Sequence, residues 1–245
     1  MWYGTDGDAF IDYGIDEHWY AATTEAFRLK VDTMPTRIEN YRPEPWGWSR
    51  ASRKAFLDVG VRAEALPDDE ALTRMRLLSS RRTSALLSRA MAKALPFAVT
   101  APPQIFTDIE ALTKCIAQMP HGCIAKMPWS NAGRGNINSN ITPSTEMIRR
   151  CADGIKRYGM VCVEPCHDRV ADFAMLWMAR DDGTVEYTGL SLFETTDTGA
   201  YTANIILPDS DIRTKLQQYI STKQLDMVVQ TMRPELERIL KTYSH

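Results

Sequence analysis

Between Asp68 and Leu95 the apolar residues recur at helical spacing: Leu72, Met75, Leu78, Leu86, Ala90 and Met91 form one stripe. Ser79-Ser80-Arg81-Arg82 interrupts it, which predicts one helix ending and a second beginning with a serine as N-cap. AVTAPPQIF reads as extended, because proline disfavours helix in the residue before it. Thr107-Asp-Ile-Glu110 has capping-box spacing and predicts a short helix to about Gln118. His121-Gly122 then turns the chain into a short strand, CIAKM. PWSNAGRGNINSN, rich in Gly, Asn and Ser, predicts a loop. Thr142-Pro143 predicts a helix with Pro in its first position, ended by Gly159 after Tyr158. MVCVEP reads as a buried strand and ADFAMLWMAR as a longer one, apolar on both faces. Asp182-Gly183 is a hairpin signal, and TVEYTGLSLF is the return strand. Two helices follow, over about 209–220 and 224–242, with Pro234 placed to kink the second.

The first 66 residues show no clean helical period, although Trp2, Trp19, Trp46 and Trp48 all fall there. RPEPWGWSRASRKAFLDVGV reads as an extended arrival followed by a helix that Ser49 caps and Gly60 closes. The tryptophans either anchor this region into a core or present a binding surface; core anchoring is the favoured reading. Helices and strands are mixed and one strand pair is clearly antiparallel, so the fold class is α+β rather than a doubly wound parallel sheet.

Charge narrows the partners. The chain has 245 residues, 29 Lys+Arg, 31 Asp+Glu and a net charge of −2, so nucleic acid is not expected as the main partner. No apolar run reaches the roughly 18 residues of a membrane span, and MWYGTDGDAF has neither the basic nor the apolar part of a signal peptide. The five cysteines (Cys115, Cys123, Cys151, Cys162 and Cys166) are odd in number and favour a reducing cytoplasm. Cys162-x₃-Cys166-His167 has no matching second pair, so small buried residues are favoured over structural zinc.

The chemistry is concentrated in Cys123-Ile-Ala-Lys126-Met-Pro-Trp-Ser130-Asn-Ala-Gly133-Arg134-Gly135-Asn136. A lysine ends an apolar strand and a glycine-rich loop follows at once. Phosphate binding uses that combination, since glycines let backbone N–H groups approach the oxygens and the cation offsets their charge. The loop is neither a Walker A motif nor a dinucleotide fingerprint. Taken alone, an exposed turn is the favoured reading of it. Downstream, Val161-Cys-Val-Glu164-Pro is an apolar strand ending in an acid, and Asp172 opens the hairpin.

In this order and spacing, residues 78–208 resemble the ATP-grasp superfamily. Pro45-Trp-Gly-Trp-Ser49 and the Lys126–Gly135 segment resemble an uncharacterised group of bacterial ATP-grasp proteins more closely. The resemblance implies two α/β subdomains with an antiparallel sheet and a glycine-rich loop. Residues 1–77 would be an aromatic-rich region preceding the ATP-grasp-like domain, residues 78–245. It places Arg82 at the helix start where a basic residue, usually Lys, reaches the α-phosphate. It places Lys126 on the α/β-phosphates and adenine N7, and Ser130, Gly133 and Gly135 over the β/γ-phosphates, with Arg134 as a further charge. It places Glu164, with the Val163 and Pro165 backbone, on the adenine amino group, and Asp172 near the ribose. Each has a plainer reading as a surface pair, a strand end, a loop acid or a hairpin cap.

The resemblance also implies ATP and Mg²⁺ as cofactors. The reaction would join a small-molecule or peptide carboxylate to an amine or thiol through an acyl-phosphate, with oligomer formation left open. The Glu-x-Asn metal segment expected after the hairpin is absent from the sequence. The domain is therefore expected to be incomplete at its C-terminal end, with Glu194, Asp197 and Asn204 as remaining metal candidates in a loop and Asp197, Gly199 and Tyr201 placed to touch the acceptor. Three classes stay open: an ATP-dependent ligase, a degenerate nucleotide-binding module, and an interaction protein using Trp46 and Trp48.

Overall fold

The computed structural model describes residues 9–10, 16–28, 30–33, 38, 41–98, 101–130, 133, 135–139, 143–180, 182–197 and 199–242. Trp2, Arg134 and Thr142 lie outside them. Contacts divide the chain into two compact units, Met1–Arg76 and Leu77–His245.

In the first unit, β1 (Ala9–Phe10) pairs in parallel with β2 (Asp32–Thr33), and α1 (Glu17–Phe27) connects them. The Asp16 carboxylate accepts from the Trp19 N–H (2.8 Å) and caps α1. The Tyr20 hydroxyl donates to the carbonyl of buried Val31, tying the helix to the chain before β2. α2 (Arg50–Asp58) begins at a reciprocal cap: Ser52 N–H to Ser49 Oγ (3.1 Å) and Ser49 N–H to Ser52 Oγ (2.8 Å). Trp48 is half-buried against Phe56, whereas Trp46 is 88% exposed. α3 (Asp69–Leu78) closes the unit.

The second unit starts with α4 (Arg81–Ala94), so the helical stripe does break at residues 79–80. β3 (Gln104–Phe106), α5 (Ile109–Ile116), β4 (Cys123–Lys126), β5 (Ile137–Ser139), α6 (Thr145–Tyr158) and β6 (Val161–Pro165) follow. They build an antiparallel sheet in the order β3-β6-β4-β5. Its inner face buries Cys123, Ala125, Ile137, Val161 and Val163 against Leu112 and Ile116 of α5 and Met147 and Cys151 of α6. Each such Leu, Ile or Met side chain contributes about 1.5–3 kcal/mol.

Helix starts differ from the sequence expectation by one or two residues. Asp108, not Thr107, caps α5, accepting from Ala111 N–H (2.8 Å), because its carboxylate reaches the third helical N–H. Ser144 caps α6, accepting from Met147 N–H (3.1 Å), so Pro143 precedes the helix. Gly159 ends α6 in the left-handed region (φ 77°).

A second antiparallel sheet contains β7 (Asp172–Ala179), β8 (Val185–Thr195) and β9 (Tyr201–Ile205), in that order. α7 (Asp209–Leu216) and α8 (Thr222–Thr242, with Pro234 inside) cover one face, where Leu190, Ile212, Leu216 and Leu225 are buried. β7 is not apolar on two buried faces, since Leu176 and Met178 are about half exposed. The segment read as a loop around 194–204 is the end of β8, a turn and β9. α4 joins α8 through Met91, Leu95 and Val228. Among the described residues no helix is long and apolar enough to cross a membrane.

Candidate functional site

The first sheet positions the central pair. Antiparallel register sets Lys126 opposite Cys162, and Ile124 opposite Glu164. Side chains alternate along a strand, so Lys126 and Glu164 are diagonal neighbours on the face turned away from α5 and α6. The Lys126 ammonium donates to Glu164 Oε1, with the two side chains 17% and 25% exposed. Ile105 of β3, opposite Cys162, shares this face. Burial pushes the Cys162 thiol up to about 11; Glu164 adds to the rise, while Arg81, Lys126 and Arg89 act against it. Three cations and one carboxylate therefore act on that thiol. Val163 points into the core and pairs with both Gln104 and Ala125, and the strand ends at Pro165.

The start of α4 is joined to the start of the glycine-rich loop. Arg81 N–H donates to Pro128 O (3.0 Å), and Arg81 Nη2 donates to Ser130 O (2.9 Å). Ser130 Oγ donates to Met127 O (3.1 Å). Arg81 Nε is buried and has no hydrogen-bond partner among the described residues. Arg82, the expected α-phosphate contact, is exposed, and its Nη2 lies 3.8 Å from Met160 Sδ, before the opposite end of β6 from Glu164. It borders a cleft of about 360 Å³ lined by Ala85, Leu86, Arg89, Ile105 and Thr107. Helix phase makes the distinction. Arg81 is four residues before buried Ala85 and so on its face, whereas Arg82 aligns with exposed Leu86.

Gly133 and Gly135 both have positive φ, 73° and 77°. A Cβ on Gly135 would meet only ordinary contacts, Ser130 Cβ at 3.7 Å and Met127 Cγ at 3.9 Å, so backbone conformation is what requires glycine there. A Cβ on Gly133 would fall 2.3 Å from Gly199 O and 2.8 Å from Ala200 Cα, so close packing excludes any other residue as well. The loop returns as β5 within the segment read as wholly irregular. Asn136 N–H donates to Gly133 O (3.2 Å), and Asn136 Oδ1 is buried without a partner among the described residues.

Asp172, the expected ribose contact, accepts from Thr195 Oγ1 (2.6 Å) and Arg169 Nη1 (3.3 Å). Nothing in the sequence pattern singled out Arg169 or Thr195. Glu194 and Asn204 do lie on adjacent strands, contrary to the loop reading. Glu194 pairs with Ala203 and Asn204 with Phe193, so their side chains point to opposite faces. Among the described residues no group of three or more His, Cys, Asp or Glu side chains is arranged to hold a metal ion. The Lys126 and Arg81 cations and the positive-φ glycines are groups that could hold a polyphosphate. All five cysteines are free thiols.

No protein-family model matches the chain, and no curated protein matches it. Solved structures do. The biotin carboxylase domain of Hydrogenobacter thermophilus 2-oxoglutarate carboxylase, in complex with MgADP, ADP and bicarbonate, aligns at 10% identity and TM-score 0.50, over 93% of this chain and 48% of that one. Staphylococcus aureus N5-carboxyaminoimidazole synthetase complexed with ADP aligns at 11% identity and TM-score 0.47, over 93% and 64%. A RimK domain ATP-grasp protein from Sphaerobacter thermophilus aligns at 13% identity and TM-score 0.40, over 91% and 81%. The chain thus spans between about half and two-thirds of the first two structures. The chain is thus a mixed α+β fold with two antiparallel sheets that matches the fold of these ATP-grasp structures.

Proposed function

We propose that residues 77–245 bind ATP at the face of the first sheet that carries Lys126 and Glu164 and serve an ATP-dependent ligase that joins a carboxylate to an amine or thiol through an acyl-phosphate. The observation that carries the proposal is the Lys126–Glu164 pair beside a glycine-rich loop whose first residues Arg81 holds. Lys126 and Arg81 offset phosphate charge, the loop backbone lines the phosphates, and Glu164 accepts from the adenine amino group once Lys126 turns to the nucleotide. In the reaction, a carboxylate oxygen attacks the γ-phosphorus and ADP leaves. The amine or thiol then attacks the acyl carbon, and phosphate leaves with the bond electrons. The chain's own share is positioning and charge neutralisation. Structural neighbours crystallised with ADP support the nucleotide part. Five free thiols and the use of ATP support a cytoplasmic setting.

A second reading is a nucleotide-binding module without catalysis, favoured by Glu194 and Asn204 facing opposite ways. Two measurements separate them. ATP with Mg²⁺ raises the melting temperature of the wild type and not of Lys126→Met under either reading. Carboxylate-dependent ADP release, with hydroxamate formed when hydroxylamine is present, occurs only if the chain is a ligase. No thermal shift at millimolar ATP in a folded sample overturns the nucleotide reading.

A further inference from the structure

Arg169 sits in the connection between β6 and β7 yet spends its guanidinium on the β8–β9 turn. Nη1 donates to Thr195 Oγ1 (2.8 Å), and Nη2 donates to Thr196 O (3.1 Å) and Asp197 O (3.0 Å). Nη1 also reaches Asp172 Oδ2 (3.3 Å), which the Thr195 hydroxyl bonds in turn. The turn closes on itself through Thr196 N–H to Ala200 O (2.8 Å), Gly199 N–H to Thr196 O (2.8 Å) and Ala200 N–H to Thr196 Oγ1 (3.0 Å). Its other side is where Gly133 rests, in the contact too close for any Cβ. A Cβ built on Gly199 would have Arg169 Nη1 at 3.6 Å and Asn136 Nδ2 at 3.9 Å. The turn is therefore held between one arginine and the glycine-rich loop.

We propose that Arg169 is a positioning residue for the phosphate half of the nucleotide site: it fixes the 195–200 turn as the seat that sets the place of Gly133. The proposal rests on the ATP-binding reading above and adds a residue the fold comparison does not supply. A guanidinium making hydrogen bonds to two carbonyls, a hydroxyl and a carboxylate is a rigid, planar clamp, and a lysine ammonium reproduces its charge without its fork. Loss of the clamp frees the turn and, through Gly199 and Ala200, the glycine on which the loop backbone depends. The base end of the site, held by β6, keeps its register in the sheet.

The test uses Arg169→Ala, Arg169→Lys and Gly133→Ala in the full chain, with two readouts. The first is amide hydrogen exchange without nucleotide. Arg169→Ala is expected to speed exchange at Gly133, Asn136, Gly199 and Ala200 by about tenfold or more while β4 and β6 are unchanged. The second is calorimetric affinity for ATP and for adenosine. Arg169→Ala is expected to weaken ATP about tenfold and adenosine less than about twofold, with Arg169→Lys in between. Gly133→Ala gives the same ATP-selective loss, and the Arg169→Ala/Gly133→Ala double variant loses no more than either single one, since both act on one contact. Unchanged exchange, equal losses for ATP and adenosine, or losses that multiply would overturn the proposal. If the wild type binds neither ligand, the ATP reading fails and the exchange measurement still decides whether Arg169 sets the loop.

Discussion

Removing the charge of Lys126 should separate what the residue does for the fold from what it does for the nucleotide. Lys126→Met leaves the Glu164 carboxylate, 25% exposed, beside Cys162 and Ile124 without its counter-ion. Breaking a buried pair by removing one partner costs about 3–5 kcal/mol, and losing an exposed pair costs about 1 kcal/mol or less. At this partial exposure we expect about 1–3 kcal/mol. A domain of this size changes its melting temperature by about 2–4 °C per kcal/mol, so the expected fall is about 2–12 °C. Glu164→Gln should fall by a similar amount, because it strands the ammonium instead. Lys126→Met/Glu164→Gln removes both charges, and replacing such a pair by neutral groups of similar volume is close to neutral. Its unliganded melting temperature should therefore return to within about 2 °C of the wild type. Its ATP-dependent shift should not return, because neither the phosphate cation nor the adenine acceptor is restored. Differential scanning fluorimetry of the four proteins, with and without ATP and Mg²⁺, reads both effects. A double variant no more stable than the single ones refutes the pair energetics. One that regains the ATP shift refutes the site.

The remaining predictions concern the supporting structure. Burial pushes Cys123 up to about 12 and Cys151 and Cys162 each up to about 11, whereas an unfolded thiol ionises near 9.0. Above about pH 9 the unfolded state therefore holds fewer protons than the folded one, so stability falls as pH rises from about 9 toward 12; urea midpoints at pH 8 and 10 that rise instead contradict this. At pH 8 a thiol reagent should modify half-exposed Cys115 and Cys166 first, and the three buried thiols only after unfolding. Asp209 Oδ1 accepts from Leu190 N–H (2.8 Å), and Oδ2 accepts from Arg213 Nε (2.8 Å). Asp209→Ala should cost about 1–3 kcal/mol in urea unfolding by leaving that N–H unmet, and Asp209→Asn should recover part of it. If Asp209→Asn is no better than the alanine, the charge and not the Leu190 bond is what matters.

Much of the architecture was legible because it depends on local rules. The interrupted stripe placed α3 and α4, Gly159 ended α6, and Asp182-Gly183 placed the hairpin between β7 and β8. The strand-lysine, glycine loop and strand-acid order pointed to the ATP-grasp fold, because phosphates constrain residue types at fixed intervals along one chain. Helix starts slipped by one or two residues where two polar side chains competed for the same cap, as with Thr107 and Asp108.

Adjacency across the chain was decided only by tertiary structure. Lys126 and Glu164 are 38 residues apart, and their pairing depends on the register of β4 with β6. Whether Glu194 and Asn204 share a face is set by one residue of register between β8 and β9, since a strand alternates its side chains at every step. Arg81 rather than Arg82 holds the loop because about 100° of helix rotation separates neighbours, and packing of Ala85 selects the face. Arg169 has little local signature: Asp172 is three residues on, but its other partners are 26 to 28 residues away and two of them are carbonyls, which every residue type carries. The sequence alone determined which chemical groups the protein owns and roughly which elements carry them. The three-dimensional packing decided which of those groups meet, because meeting requires that strand register, helix phase and turn geometry all agree.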